Sequence, residues 1–476
     1  MKNIFKAFLG LTIAVTTLSS CERDTTLLNN DGKHPSDLSS GVLLSMGQNQ
    51  QFYNIDNPSV NANNYRFFVQ QWSETTYTDE VNYNLITRNQ PRFHFNRMYV
   101  YSLNNFKKAQ DALATEVNDP GVAANKWVTN EISSIFVWEN IVDTWGDVPY
   151  TEALAAVNGG FAPKYDDAKT IYADLLKRID AAIAKINPSA KGYEVNDIVY
   201  KGDMSKWKKL ANSVKLRLAL NLSDVDPVTA KAAAESAIAS GVMTSTADSY
   251  SFVYDGVTFT NPVFDNLVAS NRDDFVPSNI LVDFMNTNND PRRDVWFTKT
   301  KDGKYLGGVY GIKNTYGNYS HVVDSFKKPI TASNLLSYSE VLFMQAEGAA
   351  RGFNMGGTAA GLYAAAITES MTEYGVDATK AAAYIASRPY DATNWKKSIG
   401  EESWIAMYNR AFAAWNFIRR LDNPILKNPT NSNTKGVPVR MIYSSDEYTQ
   451  NEKNVRAAAA KIGGDDVTTK LFWDKN

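Results

Sequence analysis

The feature that most constrains the fold is a series of paired amphipathic helices, predicted from apolar residues that recur every three to four positions. The clearest pair has one face formed by Ile171, Leu175, Ile179, Ile183 and Ile186 and a second formed by Trp207, Leu210, Val214 and Leu218. This spacing places the apolar side chains on one side of an α-helix. Because such a face must be buried, each helix is expected to pack against its neighbour as a helical hairpin.

Further helices are predicted on both sides of this pair. They cover residues 104–117, 123–145, 336–351, 358–374, 380–387 and 402–421, with one more beginning near Asp446. A shorter helix follows Asp226, with Pro227 in its first turn and Gly241 at its far end, which are favoured positions for these residues. No strict period of about 34 residues is present, so any tetratricopeptide-like units are degenerate.

Residues 245–333 interrupt the helical pattern. Alternating or aromatic segments such as 251–254 and 295–298 are separated by Gly, Asn and Asp. This composition indicates an irregular, partly β insert. The predicted fold is therefore mostly α: a helical-hairpin scaffold over about 98–241 and 334–421, with the loop-rich insert over about 245–333.

The amino terminus has the pattern of a lipoprotein signal peptide, residues 1–20. Lys2 and Lys6 precede an apolar run over 7–18, which is shorter than the roughly 20 residues that a membrane-spanning helix needs. Cys21, the only cysteine, follows Leu-Ser-Ser, as in a bacterial lipidation motif, so we expect its thiol to be acylated. The alternative is an ordinary secretory signal. Residues 21–40 are polar and are predicted to be a flexible tether, followed by one domain over 41–476.

Composition and motifs exclude several classes of protein. The net charge of −2 provides no basic field for nucleic acid. The zinc-protease, Walker and nucleophile-elbow motifs are all missing from the sequence, so no enzymatic activity is predicted. His34, His94 and His321 are far apart and have no cysteine partners, so neither a zinc site nor a cofactor is expected. A calcium ion bound by loop carboxylates remains an open alternative.

Six segments resemble signature motifs of the SusD/RagB family of outer-membrane nutrient-binding lipoproteins. They are Trp145–Ala153, Trp207–Arg217, Asn289–Arg292, Ser337–Val341, Glu402–Tyr408 and Val437–Arg440. The segments occur in the expected order and, with the lipidation motif, extend over essentially the whole mature chain. We interpret these motifs as mainly structural. Gly146 and Pro149 are expected to end a helix, the arginines after Asn289 to hold loops, and Trp207, Trp404 and Trp415 to pack in the core.

The resemblance implies a fold, a location and a partner. It implies four tetratricopeptide-like units with a ligand surface made by irregular loops. It also implies a lipid-anchored, cell-surface protein of the outer membrane that delivers glycans, or in some members peptides, to a SusC-like TonB-dependent transporter without catalysis. A scaffold of the transporter complex that binds no ligand is the alternative from another class, and a glycosidase with paired carboxylates is the enzymatic one.

Ligand contacts are expected from aromatic residues on loops, because a sugar presents an apolar C–H face and a rim of hydroxyls. Two parts of the chain combine aromatic, amide and charged residues in this way, one early and one in the insert. The predicted contacts are Trp72, Tyr77, Tyr83, Asn84, Arg272, Asp273, Tyr310, Tyr316 and Tyr319. For Trp72 and the insert tyrosines, packing in the core is the alternative role.

Overall fold

The computed structural model describes residues 38–155 and 160–475, which are mostly helical. Cys21, the signal peptide and most of the predicted tether lie outside these residues. The helices are α1 Ser40–Asp56, α2 Asn64–Phe68, α3 Gln90–Asn96, α4 Asn104–Glu116, α5 Pro120–Trp145, α6 Ala168–Lys185, α7 Met204–Asn221, α8 Pro227–Ser240, α9 Pro262–Phe264, α10 Asn279–Thr287, α11 Arg292–Trp296, α12 Tyr338–Ala350, α13 Ala359–Glu373, α14 Ala378–Ser387, α15 Trp395–Ala406, α16 Ala411–Leu421, α17 Ser445–Gln450 and α18 Glu452–Lys461. The strands are β1 Trp72–Glu74, β2 Val148–Pro149, β3 Tyr165–Asp166, β4 Tyr250–Phe252, β5 Phe275–Pro277 and β6 Ser333–Leu336.

Consecutive helices pack against one another as the periodicity predicts. Contacts join α4 to α5, α5 to α6, α6 to α7, α7 to α8, α12 to α13 and α15 to α16. Trp207, Trp404 and Trp415 are buried in the shared core, as predicted. The described residues from Ser40 onward form one compact unit. The mostly α, hairpin-based fold class is thus confirmed.

The predicted boundaries of α8 are confirmed by its capping contacts. The carboxylate of Asp226 accepts a hydrogen bond from the Thr229 backbone N–H at 3.2 Å. Pro227 occupies the first turn of the helix. The backbone N–H groups of a first turn have no partner within the helix, so proline, which lacks an N–H, costs no hydrogen bond there. Gly241 ends the helix with a φ of 100°, a left-handed conformation that glycine adopts without steric cost. Gly146 ends α5 in the same way, with a φ of 87°.

One helix predicted over 402–421 is two helices in the structure, α15 and α16. The chain turns between them at Asn409, whose φ is 64°. Tyr408, which falls inside the predicted helix, lies in this turn and stacks on Trp296 with ring centroids 4.9 Å apart. Burial of this aromatic pair and the bond from Arg410 Nη2 to the Ala406 carbonyl, 2.7 Å, stabilise the turn against continued helix.

The insert contains short strands, as predicted, but its elements differ from the predicted segments. β4 covers Tyr250–Phe252 and pairs antiparallel with β6. In the segment 295–298, by contrast, the first residues end helix α11, and only Phe297 forms a β-bridge, to Val322. The strand expected there is therefore largely wrong, because a short apolar run does not distinguish a strand from a buried helical turn.

Buried ion pairs connect helices that are distant in sequence. Arg217 of α7 lies 2.7 Å from Glu139 of α5 and 3.1 Å from Glu340 of α12. Burial raises the pKa of Glu139 to about 7. Arg292 bonds to Asp290 at 2.6 Å and to Glu402 at 3.0 Å with no exposed side-chain surface. This confirms a structural role for Arg292 within the signature segment.

Candidate ligand-binding surface

The early and the mid-chain segments predicted to bind ligand are joined by a two-stranded ribbon. β1 pairs antiparallel with β5, with Trp72 opposite Pro277 and Glu74 opposite Phe275. The Thr75 backbone N–H extends the ladder by donating to the Asp274 carbonyl at 2.9 Å. Because the strands run in opposite directions, the loop after Glu74 and the loop before Phe275 emerge at the same end.

The tyrosine-rich segment of the insert packs against the same ribbon. The Asn314 side-chain amide donates to the Glu74 carbonyl at 2.8 Å, and the Asn82 amide donates to the Gly311 carbonyl at 2.9 Å. Gly307 allows this close approach, because a Cβ there would lie 2.4 Å from the Ser278 backbone. Three segments that are far apart in the sequence therefore meet at one surface.

Tyr77 is the exposed aromatic residue of this surface, with 42% of its area accessible. The Arg88 guanidinium lies 4.6 Å from the centre of its ring and that of Arg272 lies 5.9 Å away. Arg88 is itself held by Asp79 at 3.1 Å and by buried Glu80, while Arg272 pairs with Asp274. These contacts fix the ring in place while leaving part of it open to solvent.

A pair of buried carboxyl groups lies below this arrangement. Burial, and then the neighbouring charge of Glu80, raise the pKa of Glu74 to about 10, so Glu74 is neutral at pH 7. Burial also raises the pKa of Glu80. One oxygen of Glu74 accepts a hydrogen bond from the Val81 backbone N–H at 3.2 Å. Glu74 is thus the protonated member of the pair, and it lies beside Glu80, the carboxylate that positions Arg88.

Tyr316 and His321 form a second aromatic element near the first. Their rings stack with centroids 3.9 Å apart and planes 9° apart, and His321 Nε2 lies 3.0 Å from the Tyr316 carbonyl oxygen. Burial and then the nearby carboxylate of Asp273 raise the pKa of the Tyr316 phenol. Asp273 is exposed, and Tyr319 is half-buried beside the same turn. We call Tyr77, Arg88, Arg272, Asp273 and Tyr316 the Tyr77 surface.

The structure brings the predicted segments together but buries two of the predicted contacts, Trp72 and Tyr83, and leaves Tyr310 half-buried. Trp72 has 1% of its area exposed and packs 5.6 Å from Phe275, which favours the packing role and not the ligand platform. Tyr83 is buried, and its hydroxyl accepts from Gln70 Nε2 at 2.8 Å. The Tyr310 hydroxyl donates to the Phe67 carbonyl at 2.6 Å. The Asn84 amide is half-buried and donates to Thr87 at 2.7 Å.

Sequence reasoning missed Arg88 and assigned His321 no role beyond an absent zinc site. Arg88 follows Tyr77 by eleven residues, and nothing in the spacing indicates that the chain folds back to place its guanidinium on that ring. His321 follows Tyr316 by five residues, and its stacking depends on the turn over 316–318. Both contacts are products of loop geometry.

This arrangement is suited to a polar ligand that has one apolar face. The exposed part of the Tyr77 ring provides a surface for C–H groups. The guanidinium groups donate hydrogen bonds, and the Asp273 carboxylate accepts them, around its edge. Among the described residues, no group of three His, Cys, Asp or Glu side chains is placed to hold a metal ion.

A family described as starch-binding and associating with the outer membrane matches residues 32–444. Among solved structures, a chitin-binding protein is 27% identical, with a TM-score of 0.81 over 92% of this chain and 100% of that chain. A chitin-binding SusD homolog from Flavobacterium johnsoniae is 24% identical, with a TM-score of 0.78 over 91% and 99%. A SusD-like protein from Bacteroides thetaiotaomicron is also 24% identical, with a TM-score of 0.78 over 92% and 99%.

No curated protein matches the chain. Across residues 38–155 and 160–475, every helix is too short or too polar to cross a lipid bilayer.

Proposed function

Because the chain belongs to the SusD-like family of starch-binding proteins that associate with the outer membrane, we propose that it binds an oligosaccharide through the Tyr77 surface. The observation that supports this site is the partly exposed Tyr77 ring, held by Arg88 at 4.6 Å and flanked by Arg272. An aromatic ring with surrounding donors and acceptors matches the apolar face and the hydroxyl rim of a sugar.

The similarity to a chitin-binding protein makes oligomers of N-acetylglucosamine the first ligands to test. Malto-oligosaccharides follow, because the family is described as starch-binding. SusD-like proteins are binding proteins and not enzymes, so we propose that this chain leaves its ligand intact.

The test is equilibrium binding by calorimetry with chitohexaose, maltohexaose and a panel of peptides. Tyr77→Ala is expected to weaken binding of the preferred oligosaccharide by roughly tenfold, corresponding to loss of a stacking contact of about 1.4 kcal/mol. Phe161→Ala is the matched control, because Phe161 is exposed and lies outside the Tyr77 surface. Binding of peptides alone would assign the surface to that ligand class, and no binding to any ligand would favour a scaffold.

We also propose that the protein is anchored to the outer membrane through an acylated Cys21 and delivers its ligand to a TonB-dependent transporter. The lipidation motif and the family's association with the outer membrane support this proposal. Cys21→Ser is expected to abolish incorporation of labelled fatty acid and to release the protein from membranes. Co-purification of the wild type with a SusC-like barrel tests the partner, and a protein that is acylated but never recovered with a barrel contradicts delivery.

A further inference from the structure

A cleft of about 650 Å³ lies outside the Tyr77 surface and shares no lining residue with it. One wall is made by α1, by α3 and by the π-helical stretch Arg97–Leu103 that continues α3. The other wall is the loop of residues 258–260 together with Asp265. The volume is in the range of small-molecule sites in proteins.

The helical wall exposes two aromatic rings to this cleft. Phe93, Arg97 and Tyr101 follow one another at intervals of four residues, and all three line the cleft. Phe93 is 40% exposed and Tyr101 is 52% exposed, although both rings carry large apolar surface. Arg97 extends between helices, with its guanidinium 5.7 Å from the Tyr53 ring and 3.1 Å from Asn54 Oδ1. π-Helical insertions of this kind occur frequently at functional sites.

Three amide side chains in the same cleft have no hydrogen-bond partner among the residues that the structure describes. Asn49, Gln50 and Asn96 line the cleft and are half-buried. In the described ranges 38–155 and 160–475, the side-chain amides of these residues make no hydrogen bond. Each amide offers two donor hydrogens and one acceptor oxygen, so the cleft presents unused hydrogen-bonding capacity of both kinds.

The opposite wall is held rigid by its own hydrogen bonds. Asp255 Oδ1 accepts from the backbone N–H groups of Val257, Thr258 and Phe259 at 2.8–2.9 Å. The Phe259 ring packs 5.9 Å from Phe252 of the core. A wall that is ordered before binding reduces the entropy lost when a ligand binds.

The charges that line the cleft are balanced. Arg92 lies 2.7 Å from Asp446, which neutralises it. The remaining charged residues are Arg97 and Asp265, which have opposite signs, and Asp265 accepts a hydrogen bond from the Thr260 hydroxyl at 2.6 Å. A ligand with a net charge gains no electrostatic advantage here, so the chemistry favours an uncharged one.

We propose that this cleft is a second saccharide-binding site that takes uncharged sugars, stacked on Phe93 or Tyr101 and hydrogen-bonded by Asn49, Gln50 and Asn96. The proposal rests on the proposed oligosaccharide binding of the protein. The cleft is separate from the Tyr77 surface, and its aromatic rings are held differently. Phe93 and Tyr101 lie on a continuous helical segment, whereas Tyr77 lies in a loop.

The test uses calorimetry on the full mature protein with chitotetraose and maltotetraose as probes. The cleft variant combines Phe93→Ala with Tyr101→Ala, a second cleft variant combines Asn49→Ala with Asn96→Ala, and Tyr77→Ala represents the first site. Phe161→Ala is the exposed-aromatic control. The side-chain amides of Asn49 and Asn96 make no hydrogen bond to the described residues, so the double alanine variant should unfold at the wild-type temperature. It therefore keeps the test valid if the aromatic variant is unstable.

Both cleft variants are expected to bind one ligand molecule fewer than the wild type, or to bind roughly tenfold more weakly at one of two sites. Tyr77→Ala should retain the cleft site. Wild-type binding by both cleft variants, with loss of all binding in Tyr77→Ala, overturns the second site and leaves the proposed function intact. Absence of any saccharide binding by the wild type overturns both.

Discussion

The Arg88 guanidinium lies 4.6 Å from the centre of the Tyr77 ring, and its charge is held there by Glu80, which is buried. The orientation of the one strongly exposed ring of the Tyr77 surface therefore depends on a carboxylate that no ligand can touch. Ligand affinity should respond to changes at residues in this chain of contacts as well as to changes in the ring.

Arg88→Ala is expected to weaken oligosaccharide binding roughly two- to fivefold, because a cation–π contact is worth about 0.5–1 kcal/mol at a partly exposed site. Arg88→Lys should recover part of this loss, since it keeps the charge. Calorimetric titration measures both. Arg456→Ala is the control: Arg456 also pairs with a glutamate and lies 5.5 Å from a tyrosine ring, but on α18. Equal affinities of Arg88→Ala and wild type would remove Arg88 from the site.

Glu74→Gln is expected to reduce the pH dependence of stability. The pKa of Glu74 is about 10 in the folded protein and near 4.5 when unfolded, so the folded state holds a proton that the unfolded state releases. Stability is unaffected by this group below pH 4.5 and falls as pH rises towards 10. At pH 8 the variant should be more stable than the wild type by at least about 1 kcal/mol.

Urea unfolding at pH 5, 7 and 8.5 measures this difference. Glu452→Gln, on an exposed helix, should follow the wild type at every pH. If Glu74→Gln is less stable than the wild type at pH 8 and has the same pH profile, the carboxyl group is ionised in the folded protein.

Trp72→Ala is expected to lower the free energy of unfolding by about 3–5 kcal/mol, because it removes a large buried side chain. Tyr77→Ala, five residues away but exposed, should change it by less than about 1 kcal/mol. Urea denaturation separates the two. A Trp72→Ala protein with wild-type stability and weakened oligosaccharide binding would return Trp72 to the role of ligand platform.

Arg292→Ala is expected to lower the free energy of unfolding by about 3–5 kcal/mol, since it leaves the buried carboxyl group of Asp290 without its cation and removes one of the two arginines that pair with Glu402. Arg293→Ala is the neighbouring control: its guanidinium pairs with Asp294 at 3.3 Å near the surface, so its loss should cost less than about 1 kcal/mol. Chemical denaturation compares them. Similar losses in the two variants would show that burial of the ion pair does not decide its contribution.

The sequence predicts those helices whose apolar residues form a clear face and whose ends carry capping residues. α8 is an example, because Asp226, Pro227 and Gly241 mark its limits locally. α1 is not predicted, since it buries polar residues such as Gln48 and Gln51, and their burial depends on partners far along the chain. Gln48 Nε2, for example, donates to Asp197 at 3.3 Å.

For the ligand surface, the sequence predicts the segments but not the individual side chains. Composition identifies the loops around Tyr77, Arg272 and Tyr316, and the structure brings them together. The β1–β5 ribbon decides which aromatic residues face solvent. All residues of its two strands are buried, Trp72 included, so the side chains on both faces of the ribbon are removed from solvent. Burial on both sides of a strand cannot be recognised from so short a segment.

The ribbon itself is only three residues long on each strand, and it lies inside the helical body while its loops lie outside. Changes in the length or composition of those loops need not disturb the helices, since the pairing of β1 with β5 fixes the points at which the loops leave the helical body. Evolution could therefore exchange the outer segments for new ligand preferences while it preserved the same frame.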